Sequence, residues 1–154
     1  VTIFLADEQT EHVSLDGLHA LAEMVLMEEG YPVDAEVTLL LVDESEMTSY
    51  NQRFLDRDGP TDVLAFPVEE LLPGVVPEAN PHGPPLMLGD VIVAPTYVRR
   101  QASDHGVSFE DEMALMVTHG ILHLLGYDHV ADEAAEQMES RERELLAKVG
   151  RIRR

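Results

Sequence analysis

The chain has 154 residues, 45% of them hydrophobic, with no cysteine and with 30 acidic against 10 basic residues, a formal charge of −20. This length and apolar content suit one globular domain with a real core rather than a disordered chain. The lack of cysteine excludes disulfide staples, thiolate zinc sites and thiol nucleophiles, and the charge gives none of the long-range attraction that nucleic-acid binders usually exert on polyanions.

In chain order, residues 1–5 (VTIFL) are short, apolar and partly β-branched, and predict a strand. Ser14 is an N-cap for a helix with Leu15, Leu18, Ala22, Val25 and Leu26 on one face, closed by Gly30. Residues 37–42 (VTLLLV) predict a buried strand. Asp43 with Glu46 resembles a capping box for a short helix through about Phe54. Residues 62–66 predict a third strand, residues 67–87 a proline-rich loop without periodicity, and residues 89–94 (GDVIVA) a fourth strand. Pro95 suits the first position of a helix that runs to about His105, before Gly106. Ser108 and Asp111 cap a helix to Leu125, and residues 132–148 predict a last, highly charged helix with Ala135, Met138, Leu145 and Leu146 as its apolar stripe. The non-alternating order predicts an α+β single domain over 1–154, a mixed sheet of about four strands covered by about five helices. Residues 149–154, ending in RIRR, are expected to form a disordered tail.

No apolar run approaches the ~18–20 residues of a membrane span, and no positive charge precedes an apolar stretch at the start, so a cytoplasmic protein with no membrane partner is expected. No Lys or Arg precedes Arg53. An anionic ligand must therefore meet cations from the later part of the chain. Arg99, Arg100, Arg141 and Arg143 read as helix-surface pairing with neighbouring Asp and Glu, against a phosphate-contacting rim; Arg53 and Arg57 are further candidates for substrate contact.

Of seven histidines, His12, His19 and His82 stand alone, as surface or packed side chains do, and His105, just before Gly106, reads as a helix C-terminal residue favoured by the dipole. The segment HGILHLLGYDH differs. His119 and His123 lie four apart in a predicted helix and so share a face, offset by only ~40°. Gly126 can end that helix in a left-handed conformation, and the chain can then return His129 to the same point. Three neutral imidazoles around Zn²⁺ leave a fourth position open, as in catalytic rather than structural sites, although the same donors also accept Ni²⁺ or Cu²⁺. The zinc site is thus placed at the end of a central helix. Zinc proteases of the H-E-x-x-H kind carry a general-base Glu after the first His; Gly120 stands there instead, which argues against peptide hydrolysis by that route.

This segment resembles the H-G-x-L-H-L-x-G-Y-D-H signature of the YbeY endoribonucleases, bacterial ribosomal-RNA maturation factors. PTDVLAFP (60–67), preceded by Asn51, and LGDV (88–91) resemble further segments of that family, and the likeness extends over about 35–147. It implies one Zn²⁺ on His119, His123 and His129. The activity it implies is a metal-dependent single-strand endoribonuclease in 16S rRNA 3′-end maturation and ribosome quality control. Ribosomal proteins and a ribosome-associated GTPase are the partners it implies. Many members of the family carry an Arg five residues before the Pro of the second segment. Here that position is Leu55, and a two-residue shift is expected to point Arg53 and Arg57 elsewhere.

Zn²⁺ can serve phosphodiester cleavage by activating a water or by polarising a phosphoryl oxygen for attack by the ribose 2′-OH, and the sequence leaves both open. Asp128 is a candidate proton-transfer residue, against a turn residue or a partner for a ligand histidine. Asp90 either caps backbone or lies near the site. The alternative to an enzyme is a ribosome-assembly factor whose zinc mainly orders the turn after His123, a reading the acidic surface favours. A zinc hydrolase of another ester or amide is the third.

Overall fold

A computed structural model describes residues 1–32, 34–78 and 80–154. The elements run β1 (Thr2–Glu8), α1 (Leu15–Glu28), β2 (Ala35–Val42), α2 (Glu44–Leu55), β3 (Val63–Pro67), β4 (Leu86–Val93), α3 (Pro95–His105), α4 (Phe109–Leu124) and α5 (Asp132–Lys148). The four strands form one sheet in the order β1-β2-β4-β3, parallel except for the antiparallel β3–β4 pair. The mixed four-stranded α+β sheet with five helices is thus the architecture that the element order implies.

Alternation along β2 sorts the sheet's two faces. Val37, Leu39 and Leu41, with Val91 and Val93 of β4, face α1 and α4 in the main core, joined by Met138, Leu145 and Leu146 of α5. Val42, Leu64 and Ile92 face the other way, towards Met47 of α2. α4 is the central helix: it is buried nearly all round, including Leu115, Val117, Ile121, Leu122 and Leu124, as expected of a helix packed on several sides. Each such aliphatic side chain contributes on the order of 1.5–3 kcal/mol by leaving water.

The strands are longer than their apolar cores. β1 continues through Asp7 and Glu8, because these polar residues pair by backbone with Leu41 and Val42. β4 starts at Leu86 rather than Gly89, with a bulge opposite Glu36 and Val37. Gly89 at that irregularity has φ 135°, and a Cβ there would lie 2.2 Å from the Phe66 carbonyl oxygen. The caps read from sequence form: Ser14, Asp43 and Ser108 accept from Gly17, Glu46 and Asp111 backbone N–H groups.

The end of the chain corrects the expectation of a disordered tail. Arg151 pairs with Asp111 at 3.3 Å, Arg153 with Glu142 at 2.9 Å and Arg154 with Glu112 at 2.9 Å. Glu112 and Glu142 are each 1% exposed, and a buried carboxylate without a countercharge costs several kcal/mol, so the arginines are drawn onto the fold.

Candidate metal centre

His119 and His123 project from adjacent turns of α4 with their Nε2 atoms 3.1 Å apart and ring centroids 4.5 Å apart. Beyond Leu124 the chain turns at Gly126, which has φ 102° and lies so close to the 67–85 loop that a Cβ would sit 2.2 Å from the Leu71 carbonyl oxygen. That turn brings the His129 ring to 5.3 Å and 5.0 Å from the other two. One nitrogen from each of the three lies within 4.8 Å of the others, a grouping able to close on one small cation.

The outer nitrogens of two rings are already committed. His123 Nδ1 donates to the Tyr127 carbonyl oxygen at 2.9 Å, and His119 Nδ1 donates to Glu142 Oε2 at 2.7 Å. Both bonds place the proton on Nδ1 and leave Nε2 as a lone-pair donor, the arrangement by which metal-bound histidines are oriented. Burial, followed by the neighbouring His119 and His129, lowers the His123 pKa to about 4. That ring is therefore neutral and ready to ligate at ordinary pH. Burial alone would push the Glu142 carboxyl up, but hydrogen bonds from His119 and Arg153 outweigh it and hold the group below its usual value. An all-nitrogen donor set of three imidazoles, two of them with Nδ1 already committed, fits Zn²⁺.

The histidines sit in a cleft of about 510 Å³ between α4, β3 and the end of α2, which Arg57, Arg153 and Arg154 also line. Gly120 faces the sheet, where a Cβ would meet Val91 at 2.5 Å. Close helix–sheet packing accounts for glycine after His119.

Among the arginines singled out from sequence, only Arg57 reaches this cleft. α2 ends at Leu55, and Asp56 takes a left-handed conformation (φ 51°) that reverses the chain. Leu55 and Arg57 consequently both line the cleft, and the expectation that Arg57 points elsewhere is corrected. Asn51 supports the reversal by donating to the Gly59 carbonyl oxygen at 3.0 Å. Arg53 lies over the Tyr50 and Phe54 rings, 5.7 Å and 5.4 Å from their centroids. Arg99 bonds Glu11 at 2.6 Å and covers Phe109, and Arg100 pairs with Glu44. Asp128 accepts from the Val130 N–H at 3.1 Å, within the turn that carries His129. Asp90 lies on the sheet face that carries Thr38, Leu40, Phe66 and Ile92, outside the metal cleft.

Sequence reasoning missed Glu112, Glu142, Arg153 and Arg154. A signal was present for the two acids. Glu142 interrupts the apolar stripe of α5 between Met138 and Leu145, and Glu112 lies beside Met113 at the buried start of α4. A carboxylate on an inward face requires a partner.

The family model described as endoribonuclease YbeY matches residues 4–150. An endoribonuclease YbeY of Acidothermus cellulolyticus is 43% identical over 147 residues, covering 95% of this chain and 90% of that protein. One from Mycolicibacterium vanbaalenii is 40% identical over 146 residues, covering 95% of this chain and 79% of its own. The solution structure of TM1509 from Thermotoga maritima matches with a TM-score of 0.62 at 30% identity, covering 96% of this chain and 91% of that one. The match takes in the sheet, the central helix and the histidine turn alike: this chain belongs to the endoribonuclease YbeY family.

Proposed function

We propose that the protein is a Zn²⁺-dependent endoribonuclease that cuts single-stranded RNA, acting in late 16S rRNA 3′-end maturation and ribosome quality control in the cytoplasm. The observation that carries this is the convergence of three histidine nitrogens within 4.8 Å at a cleft that arginines also line, in a chain of the YbeY family.

His119, His123 and His129 hold the metal. Bound there, Zn²⁺ supplies a Lewis acid for a phosphodiester. Glu142 and the Tyr127 carbonyl hold the first two rings in register. Arg57 offers a guanidinium to the phosphate backbone from the rim, in place of the arginine that Leu55 lacks. Asp128 shapes the turn through its bond to Val130, and its role is to present His129 rather than to transfer a proton. Partners in this role are ribosomal proteins and a ribosome-associated GTPase. The formal charge of −20 suits basic ribosomal proteins.

The same charge favours the second reading, an assembly factor with structural zinc. Zinc removal separates the two. For the enzyme, chelation abolishes cleavage of a single-stranded 16S 3′-end RNA while the protein stays folded by circular dichroism. Loss of the fold on chelation would support the structural reading.

A further inference from the structure

We propose that Arg154 is a substrate-binding residue that grips a backbone phosphate of the RNA strand beside the metal centre. This deepens the nuclease reading above and rests on it.

Two arginines of the chain's last residues line the metal cleft, and they are held differently. Arg153 is 18% exposed and spent: Nε donates to Glu142, Nη1 to the Arg154 carbonyl oxygen at 2.7 Å, and Nη2 lies 3.7 Å from Glu139. Arg154 is 31% exposed and anchored by one nitrogen. Its Nε donates to both oxygens of Glu112 at 2.9 Å. Among the described residues no partner meets Nη1 or Nη2. Glu112, 1% exposed, is itself fixed by Gln101 Nε2 at 2.8 Å.

A buried, doubly held carboxylate therefore fixes the root of the guanidinium, while its two terminal nitrogens remain available in a cleft shared with His119 and His123. Paired N–H groups in a rigid plane match two oxygens of a phosphate. Anchoring also lowers the side-chain entropy lost on binding. A phosphate approaching the terminal nitrogens need not displace Glu112, because the carboxylate holds Nε. On a chain with ten basic residues against thirty acidic ones, a fixed local cation at the site outweighs the repulsive average field over short range.

The test uses zinc-loaded full-length protein and a labelled single-stranded 2′-O-methyl RNA, its integrity checked on a gel. The substitution is Arg154→Met, made alone and together with Glu112→Gln, the double variant leaving no buried carboxylate unpaired. Relative to the unsubstituted protein, in both variants Kd should rise several-fold and the slope of log Kd against log salt should become shallower by about 0.7, one phosphate contact on a single strand. Zinc affinity by chelator competition should not change. Arg151→Met, which removes a cation of the same segment paired with Asp111 outside the metal cleft, should leave the slope in place. An unchanged slope in the double variant, or an equal loss with Arg151→Met, overturns the role of Arg154 while RNA binding itself stands. Absence of RNA binding by the unsubstituted protein overturns the nuclease reading and this one with it.

Discussion

His119 works as a ligand only if its ring is held with Nδ1 protonated, and the group that does this is Glu142, buried on α5 and shared with Arg153. Replacing Glu142 by Gln keeps the shape and removes the charge. Zinc affinity should fall by roughly 10–100-fold, the usual cost of losing an orienting partner, as read by competition with a chelator; an unchanged affinity would show that the carboxylate serves only Arg153. Gly126 acts through the backbone instead. Gly126→Ala places a Cβ on the Leu71 carbonyl at a φ of 102°, so the turn must shift and His129 with it. That variant should bind zinc more weakly and melt earlier than the parent in a thermal scan. The convergence of the three histidines was legible because helical spacing and one glycine turn are local facts. Glu142 was not, since it reaches His119 from another helix.

At the scale of the element, α4 carries both the core and two of the three clustered histidines, and the two roles are coupled. Leu122, fully buried between His119 and His123 in the helix, should cost about 2–5 kcal/mol when cut to Ala, as a cavity in a packed core does, measured by urea unfolding of the metal-free protein. The same helix sets a pH dependence. Metal-free folded protein keeps His123 neutral down to about 4, whereas the unfolded residue takes a proton near 6.5. Between those values the unfolded state binds more protons, so stability is full above about 6.5 and is lost as pH falls towards 4. His123→Ala should flatten that slope, and a slope equal to the parent's would contradict the shift. The caps of α1, α2 and α4 and the identity of all nine elements were legible in sequence, because apolar period and capping chemistry are local. Strand ends were not: Asp7 and Glu8 extend β1 through backbone pairing that hydropathy does not register.

The whole molecule sets an acidic surface against a cleft lined by Arg57, Arg153 and Arg154. Net charge was plain in the sequence, but where the cations gather was not. Arg57 depends on a left-handed Asp56, and the last two arginines depend on acids buried in α4 and α5. The proposed activity requires that this cleft, with zinc on its three histidines, cut RNA. The most direct measurement compares cleavage of a single-stranded RNA spanning the 16S 3′ end by zinc-loaded protein and by His123→Ala purified in the same way. Cleavage by the first and a loss of at least ~100-fold in the second are expected, the scale of removing a group that acts on the transition state. Equal cleavage by both, or none by either, would contradict the proposed activity.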